Sequence, residues 1–221
     1  MAAAPLPALS LLETRVLGVL VEKQHTVPDT YPLTLNALVS GCNQKTSRHP
    51  ILEAAEAEVQ EALDHLKSLS LVVESSGGRV MRYSHNAGRV LGLPPQSVAL
   101  LATLMLRGPQ TAGELRISSE RLHPFTDISA VEAFLEELAS RPAGALVREL
   151  PRLPGTRETR WAHLLSGEPE PQAAQAAAAP AAGEAVSLGE VAALKANVHR
   201  LEAEVAQLRE TLARVCRELG L

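Results

Sequence analysis

One order of local signals runs through this chain twice: three helical patterns, then two short β-prone runs around a turn. In the first copy a helix is predicted from Ser10 to Lys23, where Ser10 and Glu13 have the spacing of a capping box. Leu12, Val16, Val19 and Lys23 trace one face of it, and Leu20 widens the apolar stripe. His25 to Pro32 carries Pro28, Asp29 and Pro32 and reads as a loop. Thr34 caps a second helix through Leu35, Leu38 and Val39, ending near Gly41 in a glycine C-cap. After the polar stretch Asn43 to Pro50, a third helix runs from about Ala55 to Ser70, with Val59, Leu63 and Leu66 at i, i+4 and i+7. Leu71-Val72-Val73 and Arg79 to Tyr83 then flank Ser75-Ser76-Gly77-Gly78 as a hairpin.

The second copy starts at Pro94-Pro95 with a helix through Val98, Leu101 and Met105 that stops at Gly108-Pro109. Thr111 to Ile117 forms a short helix, and Asp127 or Ser129 caps a third with Val131, Leu135 and Leu138 on its inner face. Ala145 to Leu150 and Thr159 to Leu164 close the second hairpin. Residue identity between the copies is poor, so the repeat is one of element order. Three helices and a hairpin is the order of a winged-helix domain. The fold expected is mainly α with small β-hairpins (α+β): winged-helix domains at 9–90 and 91–166, a disordered Ala/Pro linker at 167–186 and a coiled-coil helix at 187–220. In that last helix Val191, Leu194, Val198, Leu201, Val205, Leu208, Leu212, Val215 and Leu219 alternate spacings of 3 and 4, a heptad seam that favours self-association as a parallel dimer.

Leu33 to Leu38, Cys42-Asn43-Gln44-Lys45-Thr46-Ser47-Arg48, Glu58-Val59-Gln60, Pro154-Gly155 and Arg160-Trp161-Ala162-His163-Leu164-Leu165 resemble the YceH family of bacterial proteins. The resemblance covers Leu9 to Gly167, and its most specific part is the Asn-Gln-Lys-Thr-Ser-Arg run. It implies a tandem winged-helix fold. It brings no catalytic residue and no ligand.

The residues themselves argue against catalysis. The chain has no His-Glu-x-x-His, no paired-cysteine motif, no Gly-rich phosphate loop and no Gly-x-Ser-x-Gly, so no enzyme activity, metal or cofactor is expected. Cys42 and Cys216 fit no metal or redox spacing and read as free thiols of a reducing cytoplasm. The amino terminus lacks a signal-peptide pattern, and no run approaches the roughly 18 apolar residues of a membrane span.

Winged-helix domains most often bind DNA, with the third helix in the major groove. Here the formal charge is −4, and residues 1–166 carry 16 Lys/Arg against 17 Asp/Glu, so any basic surface must be local. Both third helices are acidic, with Glu53, Glu56, Glu58, Glu61 and Asp64 around the first and Asp127, Glu132, Glu136 and Glu137 around the second. The candidate phosphate contacts are therefore Lys45, Thr46, Ser47, Arg48 and His49 in the loop before the first third helix, Arg79 and Arg82 on the first wing, and Arg157 and Arg160 on the second. The expected function is a dimeric protein that binds double-stranded DNA, a transcription regulator. The alternative is a protein-interaction adaptor that uses the acidic third helices and the coiled coil to hold a protein partner.

Overall fold

Ser10 starts the first helix as the sequence requires. Its hydroxyl accepts from the Glu13 amide while the Glu13 carboxylate accepts from the Ser10 amide, and α1 runs Leu11–Thr26. In the computed structural model, which describes residues 7–76, 80–152 and 158–169, α2 (Leu35–Cys42), α3 (Glu56–Ser68) and the antiparallel strands β1 (Val72–Ser76) and β2 (Met81–His85) follow. A short helix α4 (Ala87–Leu91) leads to α5 (Pro95–Arg107), α6 (Ala112–Ser118), α7 (Ile128–Ala139) and the hairpin β3 (Val147–Leu150) and β4 (Arg160–His163). Thr34, Thr111 and Asp127 cap α2, α6 and α7 through their side chains. The helix and hairpin pattern is therefore a mixed α+β arrangement with two separate two-stranded sheets among the described residues.

The same register recurs in the two hairpins. Val72 faces His85 and Glu74 faces Tyr83; Val147 faces His163 and Glu149 faces Trp161. Leu33, directly before the Thr34 cap, bridges Tyr83, and Gln110, directly before the Thr111 cap, bridges Trp161. Identity between the halves is poor overall, but the aligned hairpins share Arg82 with Arg160, His85 with His163, Val72 with Val147 and Glu74 with Glu149. The predicted inner faces also correspond: Val59, Leu63 and Leu66 in α3 and Val131, Leu135 and Leu138 in α7 are all buried.

Four local expectations are corrected. α1 is not an amphipathic helix with one apolar stripe, because Thr14 to Val21 are all buried while Leu12 and Lys23 are only half-buried. It lies against α2 and α3 on one hand and α5 on the other, so it has no solvent face over its middle turns. Gly18 permits that approach, since a Cβ there would sit 3.0 Å from two side-chain carbons of Leu106 on α5. Gly41 is not a C-cap but lies inside α2, where a Cβ would meet Val19 Cγ1 at 2.6 Å; the helix ends at Asn43. The 25–32 segment is not all loop, as α1 continues to Thr26 and Pro28–Thr30 forms a single 3-10 turn. α4 was not anticipated; five residues give too short a pattern to read.

The core runs through both halves, from Val16, Leu20 and Leu63 to Leu101, Leu104 and Leu135. The described residues all lie within one compact unit, Met1–Glu170. The heptad positions 191–219, the linker from 170 onward, and Arg79 and Arg157 lie outside the described residues. Among the described helices none is long and apolar enough to cross a membrane.

Candidate functional site

The 43–50 loop is held from beneath by two arginines. Arg15, on α1, is fully buried and donates to the carbonyl oxygens of Cys42 (3.1 Å) and Pro50 (2.6 Å). Arg48 turns inward from the loop itself. Its guanidinium makes a two-pronged contact with Glu22 at 3.0 and 2.6 Å and also donates to the carbonyls of Gly41 and Ser47. The Asn43 amide completes the frame by pairing with both backbone groups of Ala54, at 2.9 and 2.8 Å. Burial pushes the Glu22 carboxyl up, but the hydrogen bonds and charge of Arg48, helped by Lys23, hold it below the usual carboxylate range.

This corrects the expected exposure of Arg48, which is only 6% accessible. Its partner lies 26 residues away on α1, so the loop sequence alone does not reveal where the guanidinium goes. Lys45, Thr46, Ser47 and His49 are exposed as expected. Ser47 adopts a left-handed backbone at φ 59°, and Arg107 from the end of α5 donates to its hydroxyl at 2.9 Å. Strain of this kind persists only where the surroundings enforce it.

The hairpin arginines differ. Arg82 is tied down, donating to the carbonyls of Thr30 (3.2 Å) and Pro32 (2.8 Å), whereas the equivalent Arg160 has no hydrogen-bond or ion-pair partner among the described residues. Arg148 pairs with Glu168. What sequence reasoning missed is the role of Lys23, Arg107 and Arg121. Together with Gln44 and Ser47 they line a cleft of about 200 Å³ between α1, the loop, α5 and the segment after α6. A more open hollow of about 360 Å³ adjoins it, lined by Arg107, Gln110, Glu114, Ile117 and Arg160. Nothing in the sequence marks these residues, because only the packing of α1 against α5 brings them together.

Both third helices present carboxylates to solvent. Glu56, Glu61 and Asp64 on α3 and Glu132, Glu136 and Glu137 on α7 are exposed, while Glu58 is engaged with the Ala55 amide. On α3, Lys67 binds Asp64 and Glu74 at 2.8 and 2.6 Å, which removes the one lysine of that helix as a free cation. A separate hollow of about 350 Å³ beside α7 is lined by Glu132, Glu136 and Glu149 with Ile128, Arg152 and Trp161. His65 and Cys42 form no site: His65 pairs with Glu13 at 2.5 Å, and burial pushes the Cys42 thiol up to about 12. Among the described residues no cluster of three or more His, Cys, Asp or Glu is placed to hold a metal.

Comparison with known proteins agrees with the family resemblance read from the sequence. A family described as "Protein of unknown function, DUF480" matches residues 9–156. A UPF0502 protein of Dechloromonas aromatica is 62% identical over 96% of this chain and 98% of its own length. One from Methylibium petroleiphilum is 60% identical over 100% of this chain and 94% of its own, and one from Burkholderia orbicola 58% identical over 96% and 90%. The similarity thus extends beyond Gly167, where the motif resemblance ended, into the heptad tail.

Proposed function

The chain belongs to the DUF480 family, and we propose that it is a non-enzymatic, DNA-binding protein of two winged-helix modules that grips the phosphate backbone through the 43–49 loop. The winged-helix reading draws support from the repeated element order and from the matching Leu33–Tyr83 and Gln110–Trp161 bridges, each adding a single β-bridge beside a hairpin.

The phosphate reading rests on one observation. Arg15 and Arg48 place two buried guanidiniums under the loop, and among the described residues the only carboxylate bonded to either is Glu22. One positive charge is left uncompensated beneath exposed Lys45, Thr46, Ser47 and His49. In a low-dielectric interior that charge is weakly screened and favours an anion on the loop. Base reading by α3 or α7 is not part of the proposal, because their exposed carboxylates would face a phosphate-lined groove. Pairing of two chains through the heptad positions 191–219 would double the number of loops on one duplex and suit a transcription regulator.

The test is binding of the full chain to mixed-sequence duplex DNA at low and moderate salt. Weakening by salt together with weakening by Lys45→Gln supports the reading. No binding at low salt overturns it in favour of a second reading, which the exposed carboxylates of α3 and α7 favour: a docking module for a basic protein partner.

A further inference from the structure

Arg107 stands between two hollows. On one side lie Lys23, Gln44, Ser47 and Arg121; on the other lie Gln110 and Arg160. Arg121 and Arg160 have no hydrogen-bond or ion-pair partner among the described residues, and Arg107 donates only to the neutral Ser47 hydroxyl. Gln110 is 7% exposed, and its Nε2 is buried with no hydrogen-bond partner among the described residues. That atom lies behind the wall of the hollow, so the free guanidiniums in front of it are the groups a ligand would meet.

The two carboxylates in these walls are both committed elsewhere. Glu22 is chelated by Arg48, and Glu114 accepts from the Thr111 amide at 2.8 Å in the capping box of α6. The lining therefore offers Arg107, Arg121 and Arg160 without a carboxylate partner among the described residues, beside a Lys23 that shares Glu22 at 3.2 Å. The enclosed part, about 200 Å³, falls below the roughly 300 Å³ at which pockets for drug-sized ligands begin, so it suits a small, highly charged group. Planar guanidiniums converging from two sides match the oxygens of phosphate.

We propose that the two hollows flanking Arg107 form one binding channel for a small molecule carrying adjacent phosphate groups, of the pyrophosphate or nucleoside-diphosphate class, bridging the two halves of the fold. The first half supplies Lys23 and Ser47, the second Arg107, Arg121 and Arg160. The ligand occupies the arginine-lined seam between the two halves rather than the outer surface of the 43–49 loop.

Inorganic pyrophosphate is the probe, titrated into the full chain at constant ionic strength while the melting temperature and the binding heat are followed. A saturable rise of roughly 5–10 °C is expected at about a hundredfold excess over Kd. Arg121→Gln, whose side chain is exposed and unpartnered, and Arg107→Gln should each weaken binding by about tenfold or more without lowering the ligand-free melting temperature. Arg152→Gln, outside the channel, should leave binding unchanged. No saturable rise overturns the proposal, and so does a rise equal in wild type and both channel variants. A channel-dependent rise in a protein that binds no duplex supports the proposal and defeats only the DNA reading.

Discussion

Replacing Arg48 with Met tests whether this residue holds the loop or touches a ligand. The substitution keeps most of the side-chain volume but leaves Glu22, whose side chain is only 14% exposed, without its two-pronged partner. Breaking a buried pair from one side costs about 3–5 kcal/mol. Glu22 keeps Lys23 at 3.2 Å, so the lower end applies, about 3 kcal/mol. In a protein of this size that corresponds to a fall in melting temperature of roughly 6–12 °C. Glu22→Gln should cost a similar amount by stranding the Arg48 charge, and the double variant should lose less than the sum, with a coupling of about 2 kcal/mol. The pH dependence has a definite sign. The Glu22 carboxyl titrates below its ordinary value of 4.5 in the folded protein, so its contribution is present above that pH and disappears as pH falls through the folded value. Urea unfolding of the four proteins of the cycle measures all of this. Additive losses, or Arg48→Met within about 0.5 kcal/mol of wild type, would refute the interior role.

Gly41→Ala should destabilise by about 1–3 kcal/mol, because the new Cβ meets Val19 Cγ1 at 2.6 Å in a fully buried contact, and Val19→Ala should recover part of that loss; wild-type stability in Gly41→Ala alone would contradict the packing. His85 and His163, equivalent in the two hairpins, are both held neutral by burial down to a pKa of about 4, with His25 adding repulsion at His85. Their folded values lie below the ordinary 6.5, so their stabilisation is complete above pH 6.5 and is lost as pH falls toward 4. Unfolding free energies from urea titrations at pH 7.5 and 5 should differ by about 4 kcal/mol in total, about 2 for each histidine, and a His85→Gln/His163→Gln variant that kept the full difference would refute the assignment. Cys42 is fully buried with its thiol raised to about 12, so in a Cys216→Ser background native protein should resist a thiol reagent at pH 8 that labels the unfolded chain at once.

Much of the fold was legible because it is encoded locally. Ser10 with Glu13, Thr34, Thr111 with Glu114, and Asp127 are caps whose partners lie within three residues. The i, i+4, i+7 spacings of α3 and α7 likewise needed only one face to be buried, and one face is. The illegible features depend on distant partners. α1 is flooded with apolar residues on several sides because α5 covers the face that α2 and α3 leave open, and its own sequence cannot say so. Arg48 read as a surface cation until Glu22 is placed beside it. For the channel, Arg107 reads as an ordinary last-turn cation of α5, favourable there on its own account. Arg82 and Arg160 show the limit in another way: they hold equivalent positions in the two hairpins, yet among the described residues one side chain is bound to two carbonyls and the other is free of such bonds.

The arrangement gives a physical reason why acidic third helices and the proposed anion binding can coexist in one molecule. A winged helix that reads DNA with its third helix needs that helix basic, and neither α3 nor α7 is. Here the cations converge elsewhere, on the seam where α1 and the 43–49 loop meet α5 and the turn after α6. That seam exists only because α1 is packed from both halves, with Gly18 against Leu106 and Gly41 against Val19 setting the spacing. Separating the halves would uncover Leu17, Leu20 and Leu106 and at the same time scatter Lys23, Arg107 and Arg121. The buried contacts that make the core continuous therefore also fix the backbone positions of these donors, so an anion bound there would have only their side chains to order. The carboxylates of α3 and α7, left out of that seam's lining, can stay exposed without opposing it.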